Sequence, residues 1–272
     1  MIYTLDSVSK VYLQGHGRVR ALHGVTLGVR PLEHIALLGQ SGAGKSTLFR
    51  LLNATIRPSS GRVWFEGYEV GSMTGGQVRV MRRRIGTIYQ QHNLVPSLTA
   101  LENTLCGGLG RWSLGRTVRS MFHPRKEDVE AALYALERVD LADKRHARAD
   151  ELSGGQQQRV AIARVLMQDP EVILADEPVA SLDPGLAEGI ISLLTRIAAD
   201  SKRTLIVALH AVELALGNFP RVVALRAGSV EFDAASSGVD SEQLKNLYAG
   251  STNPSRQGKH GSGFRPEFNC VS

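Results

Sequence analysis

The sequence has few cysteines and no long apolar run, and each shortage excludes a class of protein. Only Cys106 and Cys270 occur among 272 residues, far apart and without metal-ligand spacing, so a disulfide-stapled or cysteine-ligated zinc fold is excluded. No apolar run approaches the ~20 residues that cross a bilayer. Residues 1–6 also lack the basic and apolar segments of a signal peptide. We therefore expect a soluble cytosolic protein that reaches a membrane only through a partner.

The charge balance is basic but modest. The chain has 32 Lys and Arg against 26 Asp and Glu, a net charge of +6. The basic residues form two clusters, at positions 79–84 and 111–126. No recognised DNA- or RNA-reading motif accompanies them, so we expect no nucleic-acid partner. The second cluster suits an anionic membrane leaflet or a membrane-bound partner better.

Residues 39–46 match the phosphate-binding loop, in which glycines let backbone amides wrap a polyphosphate. An apolar stretch at 34–38 precedes the loop and a helix-like stretch at 47–52 follows it, so the loop is predicted to join a buried strand to a helix. The N-terminus of that helix would add partial positive charge near the phosphates. The predicted nucleotide-binding residues of this segment are Gly39, Gln40, Ser41, Gly42, Ala43, Gly44, Lys45, Ser46 and Thr47.

Two side chains of the loop have distinct predicted roles. Lys45 reaches the β- and γ-phosphates, and the hydroxyl of Ser46 ligates Mg²⁺. A glycine-rich turn can serve chain geometry alone, but Gly-Lys-Ser at this distance from a strand is specific. The predicted ligand is ATP, with Mg²⁺ as its metal.

Two adjacent carboxylates, Asp176 and Glu177, end the apolar stretch 172–175. The carboxyl ends of strands border the ligand crevice in α/β sheets. We therefore expect Asp176 to hold Mg²⁺ through water and Glu177 to orient and deprotonate the attacking water. The alternative for Glu177 is a salt-bridged carboxylate at a strand end.

A second motif, Ser153, Gly154, Gly155 and Gln156, lies upstream of the two acids. Ser-x-x-Gln before an apolar-periodic stretch is also an ordinary helix capping box, and this alternative stays open. Phosphate loop, capped helix and acidic strand end, in this order, are characteristic of an ABC-type ATPase.

Apolar patterning predicts alternating strands and helices. The predicted strands cover residues 2–8, 24–29, 34–38, 62–65, 85–90, 172–175, 204–209, 222–225 and 230–232. Helical patterns fill the region from about 91 to 149, with a capping box at Thr99 and Glu102 and an irregular segment at 107–124. Asp183 and Pro184 predict the start of another helix. Residues 251–272, rich in Gly, Ser and Pro, predict a flexible tail.

The chain resembles ABC transporter nucleotide-binding subunits over residues 2–248, and among them the phosphonate-import ATPases with their phosphite and hypophosphite relatives. The closer match rests on RRRIG at 82–86, QQHNLV at 90–95, ALERV at 135–139, LADK at 141–144, QQQRVAIAR at 156–164, DEPVASLDP at 176–184 and LRAG at 225–228.

The resemblance implies an α/β fold, a P-loop NTPase of ABC type. Its RecA-like core would carry an antiparallel β subdomain and an inserted α-helical subdomain at about 92–168. The nucleotide-binding domain would span residues 1–250, followed by the tail.

The resemblance also implies roles for three further residues. Gln90 would contact Mg²⁺ and the attacking water, with Gln91 as the candidate if the register slips. His210 would be the switch histidine at the γ-phosphate, although Ala208 and Ala211 flank it where this branch often has Asn and Gln. Tyr12 would stack on adenine, but the segment 14–20 after it looks long. The alternatives are a locally satisfied histidine and a half-buried strand aromatic.

A single chain cannot easily place residues 153–156 on the phosphates that its own loop holds. The resemblance implies a head-to-tail dimer of two copies, in which each Ser153 helix points at the other copy's γ-phosphate and Asp183 crosses the same interface.

Further partners follow from the resemblance. Transmembrane permease subunits would dock near residues 94–105, and a substrate-binding protein would act indirectly. The chain would lie on the cytoplasmic face of the inner membrane, attached through the permease. Its predicted activity is ATP hydrolysis that energises uptake of phosphonate, phosphite or hypophosphite. The alternatives are an ATPase for polar amino-acid import or lipoprotein release, and an ABC ATPase outside transport.

Overall fold

The computed structural model describes residues 1–15, 17–91 and 93–248. The predicted tail at 251–272 lies outside the described residues. The strands are β1 (Tyr3–Gln14), β2 (Gly17–Val29), β3 (His34–Leu38), β4 (Ser60–Phe65), β5 (Tyr68–Glu69), β6 (Ile85–Ile88), β7 (Val172–Asp176), β8 (Thr204–Leu209), β9 (Arg221–Arg226) and β10 (Ser229–Ala235). The helices are α1 (Lys45–Leu52), α2 (Gly75–Arg83), α3 (Ala100–Leu105), α4 (Leu114–Phe122), α5 (Lys126–Glu137), α6 (Gly154–Gln168), α7 (Pro184–Asp200), α8 (Val212–Asn218) and α9 (Ser241–Tyr248).

The strands form two sheets. One is antiparallel with the order β2-β1-β4-β5, and the other has the order β10-β9-β3-β8-β7-β6. In the second sheet β9, β3, β8, β7 and β6 are parallel, and only β10 runs antiparallel to its neighbour. Parallel strands need crossover connections, which the helices supply. The predicted α/β fold is confirmed.

The first two strands are longer than their apolar pattern predicts. Residues 14–20, expected as a long loop, belong mostly to a β1–β2 hairpin in which Tyr12 pairs with Val19 and Gln14 with Gly17. Leu13 and Val19 are exposed at this end, so neither face is buried there. The apolar alternation that marks a half-buried strand is therefore missing.

The helices between β6 and β7 form a layer of their own, in which α6 packs against α3 and α5. The segment 107–124, predicted to be irregular, contains α4. Ser113 caps this helix by accepting from the backbone N–H of Arg116, whose guanidinium also pairs with Asp128 on α5 at 2.7 Å. A cap and one ion pair stabilise a short helix whose sequence has two basic residues and a glycine.

The six-stranded sheet is buried on both faces. In β3, Ala36 and Leu38 belong to one apolar core, and Ile35 and Leu37 belong to the other. All six residues of β8 are buried. Strands of this kind are apolar runs without alternation, which is why the sequence located them well. Within the described residues, no helix has both the length and the apolarity to span a bilayer.

Candidate nucleotide-binding site

The carboxyl ends of three neighbouring parallel strands bring the predicted site residues together. Leu38 of β3 pairs with Leu209 of β8, and Asp176 of β7 pairs with Ala208 of β8. The phosphate loop, Glu177 and His210 each follow one of these strand ends. Ligands of α/β sheets bind in this crevice because loops and helix N-termini open onto it.

The phosphate loop depends on two glycines with left-handed backbone. Gly42 has φ 80° and Gly44 has φ 106°. A Cβ atom on Gly44 would lie 2.7 Å from the carbonyl oxygen of Ala21, so only glycine fits there. Helix α1 starts directly after Gly44, which has no side chain to cap it. The amides of the first turn can therefore donate to an anion.

The side chain of Lys45 is buried within the phosphate loop. Its side chain is 3% exposed, and Nζ donates to the carbonyl oxygens of Gly39 at 2.7 Å and Gln40 at 3.1 Å. Nζ also lies 3.3 Å from Oε1 of Glu177. Burial lowers the pKa of Lys45, and the carboxylates of Glu177 and Asp176 counteract that effect. The amine is thus placed where a phosphate oxygen could replace the carbonyl oxygens.

Glu177 connects Lys45 to His210. Oε1 of Glu177 lies 2.7 Å from Nε2 of His210, and Nδ1 of His210 lies 3.4 Å from Nζ of Lys45. A carboxylate oxygen can only accept, so Nε2 of His210 must carry a proton and donate to it. Glu177 thus lies beside the phosphate loop, between Lys45 and His210.

Ser46 and Asp176 bring two side-chain oxygens together. Oγ of Ser46 donates to Oδ1 of Asp176 at 3.2 Å. Burial raises the pKa of Asp176, and the bond from Ser46 lowers it. Mg²⁺ in nucleotide sites is held by one or two such oxygens together with phosphates and water. The donor set therefore fits Mg²⁺.

Thr47 and Tyr12 are less directly connected to these residues. Thr47 lies partly buried in the first turn of α1. Tyr12 is half-buried in the β1–β2 hairpin, with Nζ of Lys10 at 5.4 Å from its ring. Its hydroxyl is buried and has no hydrogen-bond partner among the described residues. Adenine stacking by Tyr12 stays a prediction.

Gln90 lies beyond the strand that was predicted to end with it. Pairing of β6 with β7 stops at Ile88, which pairs with Ala175, although β7 itself continues to Asp176. Gln90 is exposed and lines a cavity of about 550 Å³ with Gln91 and Asp150. Among the described residues it makes no hydrogen bond to Ser46 or Asp176. Contact of Gln90 with the metal stays a prediction.

Residues 153–156 and Asp183 form a second surface. Ser153 accepts from the backbone N–H of Gln156 at 3.4 Å, and Gln156 Oε1 accepts from the N–H of Ser153 at 3.0 Å, so the capping box is present. Ser153 and Gly154 are exposed, whereas Gly155 is buried.

Asp183 is also exposed and caps α7 by accepting from the N–H of Leu186 at 3.0 Å. Gly154 approaches Leu182, which lies 3.6 Å from the position of a Cβ atom. The Ser153 and Asp183 caps therefore share one face of the chain. In the described residues, no hydrogen bond joins this face to the phosphate loop.

Two contacts of the site had no signal in the sequence. The N–H of Gly228 donates to the carbonyl oxygen of Ala43 at 3.0 Å, which ties the β9–β10 turn to the phosphate loop. The hydroxyl of Tyr248 donates to the carbonyl oxygen of His210 at 3.0 Å. Both bonds join residues far apart in sequence to a backbone oxygen, and no residue pattern marks such a bond.

Comparison with known proteins identifies the family of the chain. The sequence pattern of the ABC transporter family matches residues 22–180. The chain is 45% identical to the phosphonates import ATP-binding protein of Pseudomonas fluorescens, over 89% of this chain and 91% of that protein. It is 48% identical to the protein of the same name from Frankia casuarinae, over 84% of this chain and 89% of that protein.

Solved structures extend the likeness to the fold. The dimeric ATP-binding cassette MJ0796, bound to ADP and Pi, is 32% identical with a TM-score of 0.74, covering 87% of this chain and all of that one. The cbiO1 protein of Clostridium perfringens, part of an ABC transporter complex, is 27% identical with a TM-score of 0.74, covering 92% of this chain and 91% of that one. The chain belongs to the ABC transporter family, as an ATP hydrolase coupled to transport.

Proposed function

We propose that this chain is the ATP-hydrolysing subunit of an importer that takes up phosphonate, or the related phosphite or hypophosphite, through a partner permease. The observation that carries the ATPase role is the contact of Glu177 with both Lys45 and His210 at the ends of three parallel strands. The names of the relatives support phosphonate as the cargo over polar amino acids or lipoproteins.

We infer a task for each side chain of the site from its contacts. Lys45 exchanges its two carbonyl acceptors for β- and γ-phosphate oxygens, while the amides of Gly42 and Gly44 cradle the phosphates. Ser46 and Asp176 would hold Mg²⁺, with Gln90 as a further ligand, and the ion neutralises charge on the phosphates. Once Lys45 binds phosphate, the carboxylate of Glu177 is available to accept the proton of the attacking water. His210, whose Nε2 donates to Glu177, keeps this carboxylate oriented.

The second half of each site comes from a second copy of the chain. Ser153 and Gly154 are exposed at the N-terminus of α6, a 15-residue helix whose end favours anions. In the head-to-tail dimer this end faces the partner copy's γ-phosphate, and Asp183 on the same face lies across the interface. ATP then favours the closed dimer, and hydrolysis removes that preference.

We divide the chain into a nucleotide-binding domain at 1–250, with a helical insertion at about 92–168, and a tail at 251–272. The domain would be peripheral on the cytoplasmic face of the inner membrane. A separate substrate-binding protein would deliver the cargo to the permease. The cargo itself need not touch this chain.

We place the permease on a groove beside the edge strand β6. The cavity measures about 880 Å³ and lies between α2 and the residues that follow α3. Arg79, Arg82, Arg83 and Arg164 line it, and no acidic side chain occurs among its described lining residues. Tyr89 and Leu109 are exposed at the groove. An amphipathic permease segment that carries acidic residues fits this surface.

The groove adjoins the segment 94–105, where docking was expected, and Val95, Pro96, Ser97 and Glu102 of that segment are exposed. Asn103 is 1% exposed, and its amide donates to the carbonyl oxygens of Val95, Leu98 and Thr99. We therefore include the exposed residues of 94–105 in the docking surface, with Asn103 holding their backbone in place.

Reversing charge in the groove should detach the permease without affecting the nucleotide. The double substitution Arg79→Glu and Arg83→Glu places two carboxylates against an acidic partner, so we expect at least about tenfold weaker association, or about 1.4 kcal/mol. Co-purification with the permease from membranes measures the change. Arg30→Glu is the matched control, because Arg30 is an exposed arginine directly after β2. Undiminished co-purification of the double variant would exclude the groove as the docking surface.

Gln90→Ala should uncouple hydrolysis from uptake. Gln90 follows β6, which pairs with β7, and lines a cavity with Gln157 of α6, so we expect it to respond to both the nucleotide and the permease. We expect ATP binding within about twofold of the unchanged protein and clearly lower uptake per ATP hydrolysed. Vesicles reconstituted with permease and binding protein give the ratio. An unchanged ratio would contradict the coupling role.

The cargo is tested in the same vesicles. Uptake of a radiolabelled alkylphosphonate should require ATP and be suppressed by excess unlabelled phosphonate or phosphite. Competition by a polar amino acid instead, with no effect of phosphonate, would assign the subunit to an amino-acid importer. ATP hydrolysis in a complex with no permease would favour a role outside transport.

A further inference from the structure

The C-terminal helix α9 is bonded to two loops of the nucleotide site. The hydroxyl of Tyr248 donates to the carbonyl oxygen of His210 at 3.0 Å. One residue earlier, the carbonyl oxygen of Leu247 accepts from Nε2 of Gln40 at 3.4 Å. Leu247 and Gln40 are 207 positions apart, and Tyr248 and His210 are 38 apart. One helix end thus contacts both the phosphate loop and the loop that carries the switch histidine.

Packing, rather than these two hydrogen bonds, holds the helix in place. At its start, Asp240 and Gln243 accept from each other's backbone N–H, at 2.7 and 3.1 Å. At its end Leu247 is 1% exposed, and Leu244 and Tyr248 pack against the core on one side of the six-stranded sheet. Burial of several apolar side chains outweighs two hydrogen bonds of about 1 kcal/mol each. The helix can therefore support the loops without depending on them.

His210 has little other support for its orientation. Its side chain is 40% exposed and lies in the bend between β8 and α8. Both ring nitrogens contact charged groups of the site, with Nε2 at 2.7 Å from Glu177 and Nδ1 at 3.4 Å from Lys45. Both ring nitrogens stay at these distances only if the backbone of His210 has a fixed position. Packing does not fix the backbone of a half-exposed loop.

We propose that Tyr248 is a positioning residue for ATP hydrolysis, which holds the backbone of His210 so that the ring stays on Glu177. The inference rests on the proposed role of His210 in hydrolysis. Burial raises the pKa of the Tyr248 hydroxyl, so it stays protonated and able to donate throughout the physiological range. Leu247 adds a second bond from the same helix end to Gln40 in the phosphate loop.

Tyr248→Phe in the assembled transporter is the first test. The substitution keeps the ring and its packing but removes the donor to His210. We expect kcat for ATP hydrolysis to fall about three- to tenfold, the effect of one hydrogen bond expressed at the reacting groups. KM for ATP should stay within about twofold. Tyr68→Phe is the matched control, because Tyr68 is 70% exposed on the antiparallel sheet.

Two measurements separate positioning from a general structural effect. Nitrogen-15 NMR of labelled histidine, with the His210 signals assigned by their loss in His210→Ala, should show a proton held on Nε2 in the unchanged full chain and averaged signals in Tyr248→Phe. In kinetics, adding Tyr248→Phe to His210→Ala should lower the residual rate of ATP hydrolysis by less than about 1.5-fold, because both substitutions act through the same ring.

The outcomes separate the role of Tyr248 from the proposed role of His210 on which it depends. If His210→Ala lowers hydrolysis but Tyr248→Phe changes neither turnover nor the His210 signals, the role of α9 is overturned and that of His210 stands. If Tyr248→Phe lowers turnover by the same factor with and without His210→Ala, the two effects are independent. That result indicates a general structural role for Tyr248 and also overturns the inference. Normal turnover in His210→Ala would overturn the role of His210 and the inference with it.

Discussion

Replacing Glu177 by Gln is expected to lower ATP hydrolysis by about 100-fold or more and to leave Mg·ATP binding within a few fold. The amide cannot accept the proton of the attacking water. Its oxygen can still accept from Lys45, which lies 3.3 Å from the present carboxylate, so the phosphate loop keeps its shape. Steady-state turnover in the assembled transporter and equilibrium binding of a fluorescent ATP analogue measure the two quantities.

Glu188→Gln provides a matched control for this experiment. Glu188 is an exposed carboxylate on α7 and lines the same cavity of about 630 Å³ as Glu177 and His210. It has no contact with Lys45, so the same chemical change should leave turnover near normal. Near-normal turnover in Glu177→Gln would remove Glu177 from the role of base. Loss of ATP binding in that variant would instead point to Glu177 as a structural partner of Lys45.

Ser153→Arg is expected to abolish the dimer that ATP induces, and with it hydrolysis, while each chain still binds ATP. Ser153 is exposed at the N-terminus of α6, and bulk and charge there would block the approach of a second copy. The lost cap costs the chain only about 0.5–2 kcal/mol. Sedimentation of the Glu177→Gln protein with and without ATP, carrying or lacking Ser153→Arg, gives the dimer fraction.

Ser113→Arg in the Glu177→Gln protein is the control for the loss of a helix cap. Ser113 is likewise an exposed N-cap, and accepts from the N–H of Arg116 at 3.4 Å, the same distance as at Ser153. Its helix α4 lies away from the nucleotide, so this variant should dimerise normally with ATP. A Ser153→Arg protein that still dimerises and hydrolyses ATP would rule out the shared site.

Local residue chemistry was sufficient to predict part of the fold and of the site. The buried strands β3, β7 and β8 are continuous apolar runs, and the phosphate loop joins two glycines to Lys45 and Ser46 within one short segment. Caps such as Thr99 with Glu102, and Asp183 with Pro184, also depend on residues within one turn. Motifs formed by residues this close together can be recognised from the sequence alone.

The outer elements could not be predicted in the same way. The β1–β2 hairpin lacks a buried face at its tip, and α4 is stabilised by Arg116 pairing with Asp128 twelve positions away. Strand β6 ends at Ile88, where its pairing with β7 ends, and no residue of β6 indicates this boundary. Each of these boundaries depends on a partner element.

The sequence by itself determined that the chain has a phosphate loop, two strand-end acids and a helix capped by Ser153, because each of these motifs consists of neighbouring residues. Only the tertiary structure decided which of their side chains meet. The parallel register of β3, β8 and β7 brings Lys45, Glu177 and His210 within 3.4 Å of one another. Packing of α9 then places Tyr248 on His210. Contacts between distant residues arise from how apolar faces pack together, and the chemistry of any one segment does not specify them.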